Sequence, residues 1–142
     1  MTQTEKQSSP QERLEQRRAA NAWKVVENVS RNEDKFKKEF GSLVRSLPAL
    51  ILSDGLGMSC AFLCAKDKDK RDTHYFEAYK NLSAWLVSEL RLHVDDDALL
   101  AWIVNTSSSN EYRRATAEAL AYLSWLKRFT EAKGWKSEES GD

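Results

Sequence analysis

Apolar residues recur at every third or fourth position along most of the chain, and this spacing predicts helices. The clearest case covers residues 111–129, whose apolar side chains gather on one broad face of a helical wheel. Ser108 and Glu111 match a capping box before this stretch, and Lys133 and Gly134 match a helix end after it. The apolar face consists of Tyr112, Ala115, Ala119, Leu120, Tyr122, Leu123, Leu126 and Phe129. The pattern therefore predicts a long final helix with one side in a core.

The opposite face of this predicted final helix combines arginines with small side chains. Its members are Arg113, Arg114, Ala117, Ala121, Ser124 and Arg128. Small residues let another backbone come close, and guanidinium groups suit phosphate or carboxylate. This face therefore predicts a surface that docks onto a partner.

Capping signals mark further helices earlier in the chain. Ser9, followed by a proline, predicts the start of a first helix, and Asn32 is expected to cap a second. Pro48 is expected to bend or restart that second helix, because proline lacks a backbone donor. A short apolar helix is expected over residues 58–65, and Thr73 or the residue before it is expected to cap a fourth helix.

Composition and length favour one all-α domain. The 142 residues include only five glycines and two prolines, and no run of alternating Val, Ile and Thr predicts a sheet. We therefore predict a single compact bundle of about five to six helices over residues 9–135. Residues 1–8 are expected to be a disordered N-terminus, and residues 136–142 a disordered acidic tail.

The charge balance and the cysteine content limit which partners and which cellular compartment we expect for this chain. The 22 basic and 22 acidic side chains cancel, so any contact with a polyanion must come from a local patch within a larger assembly. No apolar run approaches the roughly 20 residues of a membrane span, and no signal peptide opens the chain, so we expect no membrane partner. Two cysteines without a secretory signal predict a reduced, cytoplasmic protein.

The first predicted helix carries basic and aromatic residues away from its apolar stripe. Arg18 falls within that stripe and is expected to be partly covered and paired. Trp23 and Val26 lie on the side opposite Leu14, a pattern typical of a helix that is deeply buried or holds a partner. A solvated face with ordinary ion pairs explains the basic flank of this helix equally well. The candidate partner interface over both helices consists of Trp23, Val26, Ala117, Ala121 and Trp125.

Two groups of residues could support chemistry, and neither has a convincing pattern. Cys60 and Cys64 differ in spacing from common zinc sites, and buried reduced thiols explain them better. The three carboxylates that begin at Asp95 fit the start of a short helix, because successive side chains point apart. We therefore predict no catalytic residue, no metal and no cofactor. A helical metal-dependent enzyme subunit stays as an alternative, with the candidate residues Cys60, Cys64, His74, Asp95, Asp96 and Asp97.

Three separated blocks resemble one known family, the small helical subunit of the type III-B CRISPR RNA-guided effector, the Cmr complex. The blocks are QRRAANAW at residues 16–23, LPALILSDGLGMSCAFL at residues 47–63 and YRRATAEALAYLSWLKRF at residues 112–129. They follow the family's order and span most of the chain. They are patterns of packing residues and contain no catalytic motif.

The resemblance implies an all-α subunit without catalytic residues, which stands in a short row of copies beside the backbone subunits that hold the guide RNA. It also implies a part in the basic channel that receives target RNA in antiviral defence, where base pairing reads the sequence. The small subunit of the related type III-A effector is a similar bundle with other partners and stays as a second alternative. Within or beside the resembling blocks, the candidate RNA-binding residues are Arg17, Arg18, Lys24, Arg113, Arg114, Lys127 and Arg128.

Overall fold

The computed structural model describes residues 9–105 and 107–136, and these residues form a helical bundle. The helices, in chain order, are α1 (Pro10–Val29), α2 (Asp34–Asp54), α3 (Leu56–Asp67), α4 (His74–Glu89), α5 (Leu99–Asn105) and α6 (Ser109–Ala132). No strand occurs in the described part of the chain, so the predicted all-α class is confirmed. The disorder predicted for residues 1–8 and for most of the acidic tail concerns residues outside that part.

Helix α6 is the central packing element of the bundle. It packs against α1, α2 and α4, while α3 packs against α2, α4 and α5. The core is mostly aliphatic, with large aromatic side chains from α2 and α6 among its fully buried members: Tyr122, Phe40, Leu47, Leu56, Leu63, Leu82, Leu86, Leu99, Leu123 and Leu126. Burying each side chain of this size stabilises the fold by about 1.5–3 kcal/mol.

The predicted capping residues at three helix starts are confirmed. The Ser9 hydroxyl accepts a hydrogen bond from the Glu12 amide at 3.0 Å, and the Glu12 carboxylate accepts from the Ser9 amide at 2.9 Å. Ser108 and Glu111 form the same reciprocal pair at the start of α6. The Thr73 hydroxyl caps α4 by accepting from the amide three residues later. Each cap satisfies backbone donors that the helix itself leaves without a partner.

The predicted cap of α2 by Asn32 and the predicted restart at Pro48 are wrong. The side-chain amide of Asn32 donates to the carbonyl oxygen of Val29, so Asn32 closes α1, and Glu33 takes the N-cap position of α2 without a side-chain cap bond. Pro48 does not interrupt α2, which continues to Asp54. The residues on either side of Pro48 that face the core are buried, and we infer that this packing outweighs the hydrogen bond that proline removes.

The chain after α6 folds back onto α2. Gly134 has a φ of 74°, a backbone conformation that favours glycine, and Trp135 is only 7% exposed. Trp135 lies against Gly41, where a side chain would collide with it: an added Cβ would be 2.7 Å from the Trp135 Cβ and closer still to its carbonyl oxygen. The glycine at position 41 therefore provides the space in which this segment docks.

Gly41→Ala tests this close approach. We expect it to lower the free energy of unfolding by about 1–3 kcal/mol, because the backbone of Trp135 must move to admit the methyl group. Gly57→Ala is the matched control, since its nearest neighbour is Ile103 Cγ2 at an ordinary 3.4 Å and alanine favours the helix. Urea unfolding followed by circular dichroism measures both. Equal stability of the two variants would contradict this account.

Candidate nucleic-acid and partner interface

The outward face of α6 is a strip of small residues with an arginine at each end. Arg114, Ala117, Ser124 and Arg128 are exposed and Ala121 is half-buried, while the opposite face of the helix lies in the core. We call these five residues the α6 strip. They recur every three or four positions, so they lie along one side of the helix. A partner can therefore approach the helix backbone closely between two positive ends.

The arginines around the α6 strip are weakly engaged by the rest of the chain. The guanidinium Nε of Arg128 lies 3.9 Å from a Glu131 carboxylate oxygen, and the Arg128 side chain is 82% exposed. Arg113 donates to the side-chain oxygen of Asn110 at 3.3 Å on the exposed surface. Exposed pairs of this kind contribute at most about 1 kcal/mol. Both guanidinium groups can therefore turn to a phosphate at little cost.

Arg17 and Arg18, which were candidates for RNA contact, are engaged within the bundle. Arg18 donates two hydrogen bonds to the Glu118 carboxylate, at 2.7 and 2.8 Å, and its side chain is only 12% exposed. Its remaining guanidinium nitrogen donates to Glu15 at 3.1 Å. Arg17 donates to both carboxylate oxygens of Glu89 and is 55% exposed. The prediction that Arg18 is partly buried and paired is confirmed. Its guanidinium group therefore serves the packing of the bundle.

The Glu118 carboxylate joins three helices. It accepts from Arg18 of α1 and from the indole nitrogen of Trp85 in α4, the latter at 2.9 Å. The Trp85 ring also stacks on Tyr122, with ring centroids 5.2 Å apart. Burial alone would raise the pKa of Glu118, but the hydrogen bonds from Arg18 and Trp85 outweigh it and hold that pKa below its ordinary value. Glu118 therefore remains ionised and bound at neutral pH.

The aromatic candidates for the partner interface differ in how far they reach the surface. Trp23 is 40% exposed. Its ring and that of Phe129 meet edge to face, with ring centroids 5.1 Å apart. The ammonium of Lys133 lies 5.2 Å from the centroid of the Trp23 ring. Trp125 is half-buried and donates its indole N–H to Glu15 at 2.7 Å. Trp23 is therefore the more accessible of the two tryptophans.

The other candidates on these two helices divide between surface and core. The structure corrects the placement of Val26, which is 0% exposed and belongs to the core between α1 and its neighbours. Lys24 is exposed, whereas Lys127 is half-buried. The accessible candidates are therefore those on the α6 strip, together with Arg113, Trp23, Lys24 and Arg17, which is exposed although it is bound to Glu89.

The thiol and histidine candidates for metal chemistry do not form a ligand set. Burial raises the pKa of the Cys60 thiol to about 12, and it also raises the pKa of the Cys64 thiol. His74 instead lies 3.5 Å from a carboxylate oxygen of Glu39, and burial lowers its pKa. Among the described residues, no three His, Cys, Asp or Glu side chains come together as a possible metal site. The Cys60 thiol is therefore a buried, protonated packing group, while Cys64 is half-buried.

The three aspartates that begin at Asp95 lie before α5, which starts at Leu99 and not among them as predicted. The Asp97 carboxylate accepts from Arg71 at 2.7 Å. The start of α5 is capped from α4: the Leu99 amide donates to the Ser83 hydroxyl at 3.1 Å, and the following amide donates to the Tyr79 hydroxyl. Because these caps come from a distant segment, no local sequence signal could place the helix start.

Sequence reasoning missed Glu118 as a structural partner. The available signal was a pair of isolated charges: Arg18 within the apolar stripe of the first helix and Glu118 beside the apolar face of the last. Opposite charges that both point into a core must pair, since a single buried ion is costly. The sequence therefore contained both members of the pair, although not their contact.

A family comparison agrees with the helical architecture. Residues 14–133 match the model of a family described as CRISPR-associated protein (Cas_Cmr5). That segment runs from within α1 to the residue after α6, so it includes nearly all of the packed core, with Trp135 just beyond it. Among the described residues, no helix combines the length and the apolar character needed to cross a membrane.

The helical fold and the match to this family model together define a small all-α CRISPR-associated protein. The chain belongs to the Cas_Cmr5 family, whose members are small subunits of type III CRISPR effector complexes. The resemblance to the small Cmr subunit is thereby confirmed.

Glu118→Gln tests the buried ion pair. We expect a loss of about 3 kcal/mol in the free energy of unfolding at neutral pH, because Arg18 loses its two-bond partner in the bundle and keeps only the more exposed Glu15 carboxylate as a counter-ion. The unmodified protein should also lose stability as the pH falls through the lowered pKa of Glu118, from full stability above the unfolded value of about 4.3. The variant should lack that part of the pH dependence.

Glu131→Gln is the control for this substitution, since Glu131 meets Arg128 only at 3.9 Å on the surface. Urea unfolding at several pH values should show little change for the control. A Glu118→Gln protein as stable as the control at neutral pH would refute the structural importance of the pair.

Proposed function

We propose that the protein is the non-catalytic small subunit of the type III-B (Cmr) RNA-guided effector. In this role it packs along the backbone subunits that bear the guide RNA, contacts further copies of itself and helps form the basic channel for target RNA in antiviral defence. The observation that carries the proposal is the α6 strip, which lies within the family match. It combines close approach with positive charge.

The dimensions of the α6 strip support contact with an extended phosphate backbone. Arg114 and Arg128 are fourteen positions apart, which corresponds to about 21 Å along a helix. Arg113 adds a further exposed guanidinium beside Arg114, at the N-terminal end of the α6 strip. Phosphate contacts position a nucleic acid without reading its sequence, as a channel that relies on base pairing requires.

The exposed aromatic surface beside α1 supports protein contact. Trp23 offers a partly exposed indole, with Lys24 next to it and Lys133 against its ring. Tryptophan is enriched among the residues that dominate protein interfaces. We assign this surface to a neighbouring subunit, and the α6 strip to RNA.

Arg114→Glu combined with Arg128→Glu tests the RNA contact. We expect target-RNA affinity of the assembled complex to fall by about tenfold at low salt, and the slope of log affinity against log salt to shrink by about 2, because two phosphate contacts are lost. Filter binding or fluorescence anisotropy over a salt series measures both. Co-purification of the other subunits should persist, since neither arginine supports the core.

Lys80→Glu combined with Arg91→Glu is the matched control, because it reverses two exposed charges outside α1 and α6. It should leave affinity and salt slope nearly unchanged. Equal losses from both double variants would refute the assignment of the α6 strip. A tagged chain recovered from its host without partner subunits and without RNA would refute the proposed function as a whole.

A further inference from the structure

Trp135 fixes the point at which the chain leaves the bundle. It lies against Gly41 of α2 and is 7% exposed, and its amide donates to the carbonyl oxygen of Thr130 at 3.1 Å. Residues 137–142, which follow in the sequence, are outside the part of the chain that the structure describes. The chain therefore leaves the described part at the surface of α2, next to Gly41.

The surface of α2 around Gly41 is basic. On a helix surface, the neighbours of a residue lie three and four positions away. For Gly41, three of these four neighbours are cationic: Lys37, Lys38 and Arg45. The fourth, Val44, is buried in the core. We call the three cationic residues the α2 basic face.

The cations of the α2 basic face are weakly engaged by their neighbours. The ammonium of Lys37 lies 3.2 Å from a carboxylate oxygen of Asp34, whose side chain is 83% exposed. A guanidinium nitrogen of Arg45 meets a neutral hydroxyl at 3.5 Å. Glu39 is not on this side of α2 and lies 3.5 Å from His74 instead. Because an exposed ion pair is exchanged for another at little cost, this face can take a further anionic partner.

The segment beyond Trp135 is acidic and long enough to reach the α2 basic face. We call residues 137–142 the acidic segment; its charged side chains are Glu138, Glu139 and Asp142. Three or four residues of extended chain span about 10–14 Å, whereas the two ends of the α2 basic face lie about 6 Å along the helix axis from its centre. Exposed charges act over about 10 Å at moderate salt, so the contact requires no fixed conformation of the segment.

We propose that the acidic segment binds the α2 basic face of its own chain and competes there with RNA phosphates. Trp135 tethers the segment beside this face, so the contact is intramolecular. A second copy of the chain would have to reach the same face from solution, at a lower effective concentration, which makes the chain's own segment the favoured occupant. The competition rests on the proposed function, in which the protein meets RNA, whereas the docking of the segment does not.

Carbodiimide cross-linking of the full-length chain tests the docking in the absence of RNA. The reagent joins a carboxylate to a nearby lysine ammonium as an amide and takes up the water that is released. Mass spectrometry of the monomeric product should show Glu138 or Glu139 joined to Lys37 or Lys38 at low salt. The yield should fall at least about threefold at about 0.5 M salt, where exposed charges are screened. Lys80, an exposed lysine of α4, is the internal control and should form no such link.

Neutralising the acidic segment tests the competition with RNA. The triple variant Glu138→Gln, Glu139→Gln and Asp142→Asn should bind a fluorescein-labelled single-stranded RNA at least about threefold more tightly at low salt, because the segment no longer competes with the phosphates. Fluorescence anisotropy measures this affinity for the full-length chain.

The triple variant Asp72→Asn, Asp95→Asn and Asp96→Asn is the matched control for the charge change. It removes the same charge from exposed positions outside α2 and α6, so the affinity should change by less than about twofold. Lys38→Gln combined with Arg45→Gln should abolish the difference between the unmodified and the neutralised segment, because the face for which they compete is then lost.

The cross-links separate this inference from the proposed function. Missing links to Lys37 and Lys38, or equal links to Lys80, overturn the inference while the proposed function stands. Equal gains in affinity from the two triple variants, or no measurable RNA binding by any variant, overturn the competition. Failure of the proposed function is seen instead as a tagged chain recovered without partner subunits and without RNA, and that outcome leaves the cross-linking result intact.

Discussion

The buried ion pair between Arg18 and Glu118 is the constraint on which the arrangement of the bundle depends. It joins α1 to α6, and through Trp85 it joins both to α4. Removing either partner leaves a charge in the bundle at a cost of about 3–5 kcal/mol, so the helices must meet at these positions. Since Glu118 points inward, Ala117 and Ala121 face outward. The internal polar contact therefore sets the rotation of α6 that leaves its strip on the surface.

Local chemistry explains which helix boundaries could be predicted from sequence. Ser9 and Ser108 cap helices through groups only three residues away, so the sequence pattern contains the whole interaction. Pro48 lies within a continuous helix whose neighbouring residues Leu47 and Ile51 are buried in the core. The start of α5 is capped by Ser83 and Tyr79 of α4. These outcomes depend on tertiary contacts, which periodicity and capping signals do not contain.

The same distinction applies to the candidate site. The α6 strip follows from the helical period alone, so the sequence is sufficient to place Arg114 and Arg128 on one side of the helix. Val26 was assigned to the wrong environment because a helix with apolar groups on two sides can be covered by the chain itself or by a partner, and only packing decides between them. A surface groove between α2, α3 and α4, with Phe62 and Tyr75 in its lining, could not be predicted, because it unites segments from three helices.

A chain of zero net charge can contact RNA when its acidic groups are held away from the contact surface. Glu118 and Glu89 are bound to arginines, and Asp67 is 3% exposed and accepts hydrogen bonds from a backbone amide and from Thr73. The lysines around Asp67 remain exposed. Because exposed charges act mainly within about 10 Å at moderate salt, the local balance and not the total decides whether phosphate is attracted. Neutral composition is thus compatible with locally basic surfaces wherever acidic side chains are bound inside the fold.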